Sequence, residues 1–172
     1  MTPRETPSPY VIREIPFELS KDYLDMVCLR QAVLRVARPP EIPYNLPRFS
    51  WDQLDGERDD IHVGLYPWDS SNAVGCCLIR RVSDWLQMRQ VAVDDKLQGR
   101  GLGRLLVGYF ENYAARNGFQ NLFIEARGEA VGFYTRLGYT LMPDSFPNEE
   151  STLINYRLEK ILQNGASRAV PS

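Results

Sequence analysis

Val91-Ala92-Val93-Asp94-Asp95-Lys96-Leu97-Gln98-Gly99-Arg100-Gly101-Leu102-Gly103-Arg104 is the stretch on which the reading of this chain turns. The segment from Trp85 to Val93, after a short turn at Ser83-Asp84, predicts a strand, and a short loop follows it. From Leu102 the apolar residues are Leu102, Leu105, Leu106, Tyr109, Phe110, Tyr113 and Ala114. That spacing traces one face of an amphipathic helix, with Gly118 as its natural stop. The first turn of such a helix leaves backbone N–H groups without partners, and the macrodipole adds partial positive charge there. Glycines open the approach because no Cβ stands in the way, so the turn suits a phosphate. Arg100 and Arg104 add cationic donors. A nucleotide P-loop needs Gly-Lys-Ser/Thr, whereas Arg104-Leu105 follows Gly103. A dinucleotide fingerprint needs a last glycine where Leu106 stands. A pyrophosphate of another kind is left.

Outward from this turn the chain alternates. Residues 10–17 predict a strand, Ser20 an N-cap, and Tyr23, Met26, Val27 and Leu34 a helix to about Ala37, stopped by Pro39 and Pro40. A second short helix is expected from Ser50-Trp51-Asp52-Gln53. His62–Tyr66 and Ala73–Val82 read as strands around the turn Asp69-Ser70-Ser71-Asn72. Beyond the central helix come a strand at Leu122–Ala126, a helix carrying Ala130, Phe133, Tyr134 and Leu137 and ended by Gly138, and strands at Tyr139–Met142 and Leu153–Glu159. One mixed sheet with helices around it is the expected architecture, an α/β fold. A single domain over 10–162 is expected, with flexible tails at 1–9 and 163–172.

Composition narrows the function. Of 172 residues, 44% are hydrophobic and 24% charged, with a formal net charge of −2, so no basic footprint for nucleic acid or a membrane surface exists. No stretch reaches the roughly 18 apolar residues of a membrane span. Cys28, Cys76 and Cys77 read as small buried apolar residues. Adjacent Cys76 and Cys77 point to opposite faces of a strand and make a poor disulfide, which favours a reducing, cytoplasmic compartment. One histidine and no paired cysteine spacing give a metal little to bind, and none is expected.

Gln98-x-x-Gly101-x-Gly103 between strand and helix, followed about thirty residues later by Phe133-Tyr134-x-x-x-Gly138-Tyr139, resembles the GNAT acetyltransferase superfamily. The likeness spans Gln87–Leu141, and more weakly the first helix through Leu29-Arg30-x-x-Val33-Leu34-Arg35. It implies a GNAT-like acyl-CoA N-acyltransferase fold: a central, mostly antiparallel sheet with two splayed strands and helices on both faces. The function implied is acetyl-CoA-dependent transfer of an acetyl group to a primary amine, on a small molecule or a peptide. A homodimer is left open, and neither nucleic acid nor a membrane is an expected partner.

The resemblance also assigns roles. Val91, Ala92 and Val93 would pair with the pantetheine arm, as an added strand pairs with a sheet edge, and the Val91 N–H would face the thioester oxygen. Backbone N–H groups of Gln98, Gly99, Arg100, Gly101, Leu102, Gly103 and Arg104 would hold the pyrophosphate. Tyr134 takes the place of a general acid for the leaving thiolate, or else packs on the face of Ala130, Phe133 and Leu137; Phe133 is core either way. Arg127 replaces a family Asn and reaches either phosphate or substrate carboxylate, or solvent. Gln87 replaces a Glu, and a carboxamide cannot serve as a base; Asn155 replaces a His. Glu125 is the first candidate base, beside a water chain to bulk solvent. His62 reads as structural before catalytic. Arg35, Arg38, Tyr44, Arg48, Phe49 and Trp51 would clamp a planar or acidic acceptor or simply dock a Pro-rich loop, whereas Asp144, Glu149 and Glu150 would suit a cationic one. The missing Glu and Asn motivate a second reading, a non-catalytic acyl-CoA-binding module.

Overall fold

Alternating and helical apolar periods resolve into seven strands and three helices that lie wholly within the residues the computed structural model describes, 8–18, 20–34, 54–143 and 155–163. In chain order these are β1 (Tyr10–Ile15), α1 (Lys21–Val33), β2 (Ile61–Pro67), β3 (Gly75–Val82), β4 (Trp85–Val93), a 3₁₀ turn (Asp95–Leu97), α2 (Leu102–Arg116), β5 (Asn121–Arg127), α3 (Gly128–Arg136), β6 (Thr140–Leu141) and β7 (Asn155–Ile161). The strands form one mixed sheet in the order β1-β2-β3-β4-β5-β7-β6. β1 and β2, β2 and β3, β5 and β7, and β6 and β7 pair antiparallel. β4 and β5 pair in parallel, Trp85–Met88 against Asn121–Ile124, a geometry that requires a crossover, and α2 supplies it.

The chain divides into two compact units, Met1–Ile79 with Gln90–Val107, and Arg80–Arg89 with Gly108–Ser172. In the first, Ser20 caps α1 by accepting the Tyr23 N–H at 3.2 Å. Helical spacing then sends Tyr23, Met26 and Val27 into a core with Ile15, Leu54, Tyr66, Cys76 and Ala92. Arg30 lies on the same face and is wholly buried, its Nη2 2.6 Å from Glu57 Oε2. His62 is also core. Its Nε2 lies 2.9 Å from the Glu57 carbonyl, and its ring is packed by Phe17 and Tyr23. A carbonyl only accepts, so Nε2 carries the proton there. Burial is the main cause holding the His62 pKa below its ordinary value.

In the second unit, period-2 alternation puts Leu122, Ile124 and Ala126 of β5 on one buried face. Phe123, Glu125 and Arg127 take the other, opposite Glu159, Arg157 and Asn155 of β7. The Arg157 guanidinium lies 3.9 Å from the Phe123 ring centroid and bonds Glu159 at 2.6 Å. Gly118 and Gly138, at φ +76° and +90°, end α2 and α3 as left-handed caps.

Several expected bounds move. The strand expected at Tyr139–Met142 is only Thr140–Leu141, because the Tyr139 N–H is held by the Tyr134 carbonyl at 3.1 Å and belongs to the α3 cap. β3 begins at Gly75 instead of Ala73, after Val74 donates to the Leu65 carbonyl. β7 extends to Ile161, two residues past the expected end, through its pairing with Asn121. Cys76 and Cys77 are buried as expected, whereas Cys28 is only half-buried. The short helix expected from Ser50 is described only at its end, where Leu54 and Asp55 are helical. The end of the first helix beyond Leu34, residues 50–53, residues 1–7 and 164–172 of the tails, and the acceptor candidates at 35–51 and 144–150 lie outside the described residues.

Candidate active site

In the first unit β4 runs into the glycine turn through one left-handed residue. Gln90 takes φ +50°, a conformation that costs an L-residue about 1–2 kcal/mol. No residue type in Gln90-Val91 announces this, and sequence reasoning missed it. Val91 and Val93 are half-buried and Ala92 is buried. The approach to Ala92 is close: a Cβ on Gly75 would stand 3.4 Å from the Ala92 carbonyl oxygen and 3.1 Å from Leu65 Cδ2. That explains the glycine at the head of β3.

The turn itself is locked by side chains. Asp94 accepts the Lys96 N–H at 2.9 Å, opening the 3₁₀ turn. The Gln98 amide donates to the Val93 carbonyl at 3.1 Å and to Asp95 Oδ1 at 3.0 Å. Gln98 therefore braces the turn with its side chain, leaving only its backbone for a ligand. Gly99 and Gly101 follow at φ +78° and +83°, where a side chain is strained, and nothing lies within 4 Å of the position a Cβ would take at either.

α2 starts immediately afterwards, with Leu102 buried as its anchor. Gly101 accepts the Leu105 N–H at 3.2 Å, so it occupies the cap position and brings no side chain to it. The first turn of α2 holds no acidic residue. Among the described residues no acceptor stands on the N–H groups of Leu102, Gly103 or Arg104. Arg100 and Arg104 are on the same turn, Arg100 exposed and Arg104 facing outward beside it. An uncapped, un-neutralised helix start with open glycines and two guanidiniums fits a phosphate group.

The second unit carries the remaining candidates. Tyr134 is buried in α3, its ring edge-on to Phe133 at 4.9 Å and to Tyr139 at 6.0 Å. Phe133 is half-buried. Arg127 stands at the N-cap of α3 without a side-chain cap bond and is half-buried. Glu125 is exposed; in register it faces Arg157 across the β5–β7 ladder, but Arg157 bonds Glu159 instead. Gln87 is half-buried and in register with Phe123. Asn155 is in register with Arg127. His62 belongs to the first unit's core, with no exposed edge for a proton shuttle. Cys76 is equally inert, its thiol pushed up to about 12 by burial.

Known proteins share this fold. A protein of Lactobacillus plantarum assigned as an N-acetyltransferase superposes with a TM-score of 0.69 at 18% identity, covering 90% of this chain and 99% of that one. An acetyltransferase of Streptococcus agalactiae 2603 gives 0.66 at 16%, covering 90% and 99%. A GNAT family acetyltransferase of Elizabethkingia anophelis, solved with acetyl-CoA bound, gives 0.64 at 13%, again covering 90% and 99%. At such identities these establish the fold. The model of the Acetyltransferase (GNAT) family matches residues 27–139, a span that holds the second half of α1, the left-handed Gln90, the glycine turn and Tyr134. The chain belongs to the GNAT acetyltransferase family.

Proposed function

We propose that this protein is an N-acetyltransferase that takes acetyl-CoA as donor and a primary amine, on a small molecule or a peptide, as acceptor. The observation that carries it is the start of α2, where three backbone N–H groups, two open glycines and two guanidiniums have no anion among the described residues to satisfy them. Coenzyme A brings a diphosphate of matching charge, and its acetyl thioester supplies an activated acyl group.

The chain's own residues do the rest. Backbone N–H groups from Gln98 to Arg104 bind and orient the diphosphate. Val91 and Val93 hold the pantetheine amides through their main chain, and the Val91 N–H, next to the left-handed Gln90, stabilises negative charge on the reacting oxygen. Phe133 and Arg127 flank the cofactor arm. Tyr134, shielded from water by Phe133 and Tyr139, donates its proton to the departing sulfur. Glu125 is exposed on β5 and serves as the carboxylate that draws the proton from the amine, by way of water. Free thiols at Cys28, Cys76 and Cys77 suit a reducing, cytoplasmic compartment.

The carboxamide of Gln87 favours one other reading, a module that binds acyl-CoA without turnover. Release of free thiol from acetyl-CoA, followed across a panel of amines, separates the two. Amine-dependent release supports the enzyme. Binding of CoA with no amine raising the rate supports the module.

A further inference from the structure

Period-2 alternation brings Gln87 of β4, Phe123 and Glu125 of β5, and Arg157 and Glu159 of β7 to one face of the second unit's sheet. Gln87 is in register with Phe123, Phe123 with Glu159, and Glu125 with Arg157. Opposite charges in register, about 4.5–5.5 Å apart at Cβ, ordinarily pair. Glu125 and Arg157 do not. Arg157 leans along the ladder instead, its guanidinium carbon 3.9 Å over the centre of the Phe123 ring and 5.3 Å from that of Trp85. Its Nε donates to Glu159 Oε1 at 2.6 Å.

That arrangement leaves polar groups over. Among the described residues, Arg157 Nη1 and Nη2, the Glu125 carboxylate and the Gln87 carboxamide have no hydrogen-bond partner. A guanidinium held at Nε and seated on an aromatic ring has lost most of its freedom before a ligand arrives. Its remaining edge, Nη1 with Nη2, is a planar fork that fits a carboxylate through two parallel bonds. Glu125, with no cation of its own, suits an ammonium. Gln87, in register with the ring that carries the guanidinium, is a neutral donor. A glutamate there would repel the anion that Arg157 attracts.

We propose that the acceptor is a free α-amino acid, its carboxylate held by Arg157 and Gln87 and its ammonium by Glu125. This rests on the reading of Glu125 as the group that draws the proton from the amine. Neighbouring charges of opposite sign that leave each other unneutralised match a zwitterion, whose own two charges are separated by a single carbon. A polyamine offers the fork nothing, and a peptide N-terminus carries an amide where the carboxylate must be. In the transfer, the ammonium gives one proton through Glu125 to solvent, and its nitrogen bonds the acetyl carbonyl carbon. The C–S bond breaks, and the thiolate leaves with the Tyr134 proton, which the second amine proton replaces. The product is an N-acetyl amino acid and a free thiol.

Thiol release from acetyl-CoA, with each common amino acid beside its carboxamide and its decarboxylated amine, tests the assignment. At least one amino acid should react with kcat/KM about 10- to 150-fold above its two carboxylate-free analogues, the worth of a charge-assisted hydrogen bond. Arg157→Lys keeps the charge and removes the fork. It should raise KM for that amino acid about ten-fold or more and erase its advantage over the amide. Titration calorimetry of the amino acid onto the CoA complex should show the same weakening without turnover. Gln87→Glu, nearly equal in size, should also lower the ratio of amino acid to amide, and it decides alone if Arg157→Lys fails to bind CoA. Plain amines reacting as well as amino acids overturn the proposal and leave the acetyltransferase reading standing. So do variants that bind CoA and keep the wild-type preference. Release from no amine at all, with CoA bound, overturns that reading and this assignment together.

Discussion

Arg104→Glu should move stability and cofactor binding in opposite directions. Arg104 lies in the first turn of α2, and no internal bond is lost with it. A cation at a helix start is unfavourable and an anion favourable, each by about 0.3–1 kcal/mol. Reversal should therefore stabilise the fold by about 0.6–2 kcal/mol, raising Tm by roughly 1–8 °C for a chain of this size. The diphosphate, in contrast, loses a charge-assisted donor worth about 1.5–3 kcal/mol. The new carboxylate also claims the N–H groups the diphosphate would use. Affinity for CoA should fall at least about 10- to 150-fold. Thermal denaturation and titration calorimetry on the same preparation read both quantities. A variant that melts higher yet binds CoA as wild type does would refute the assignment of this helix start to the cofactor. Raised ionic strength should weaken wild-type binding more than the variant's, since screening acts on the interaction the variant lacks.

Tyr134→Phe should lower kcat about ten-fold or more with CoA affinity unchanged, in steady-state assays with a competent amine; an unchanged kcat removes the hydroxyl from the chemistry. Arg30→Met should destabilise by about 3–5 kcal/mol, because Glu57 is left buried and unpaired, whereas Arg30→Met with Glu57→Leu should recover most of that in denaturant unfolding. His62 is the one histidine, and burial lowers its folded pKa, so the unfolded chain binds the extra proton. Stability from keeping it neutral is then present above the unfolded pKa of about 6.5 and is lost as pH falls toward the folded value. Melting temperature across that window should fall in wild type and flatten in His62→Gln; parallel profiles would contradict it.

Much of the fold is legible because it rests on local rules. α2 is readable from its apolar spacing, and its glycine start from the absence of a Cβ, properties that need no partner element. Ser20 and Gly138 mark helix ends through chemistry carried by one residue. Arg30 is harder: on α1 it falls in the row of Tyr23, Met26 and Val27, and a guanidinium is tolerated there through long-range pairing, Glu57 among its partners. The left-handed turn of the chain at Gln90 is invisible in the residues, since no glycine or asparagine marks the position that holds φ +50°. Gln98 is readable as a signature residue but not as a brace on Val93 and Asp95, a geometry that appears once the 3₁₀ turn is formed. Glu125 is picked out by its place on the strand, and its exposure beside an Arg157 already engaged by Glu159 follows only from the register of β5 on β7.

Amide NMR on uniformly ¹⁵N-labelled protein tests the grip of α2 on coenzyme A most directly. On adding CoA, the largest shifts and the strongest new protection from exchange should fall on Gly99 to Arg104, with the core amides of β2 and β3 unmoved. Saturating CoA that leaves the amides of Leu102, Gly103 and Arg104 where they were would contradict the anion site at its foundation.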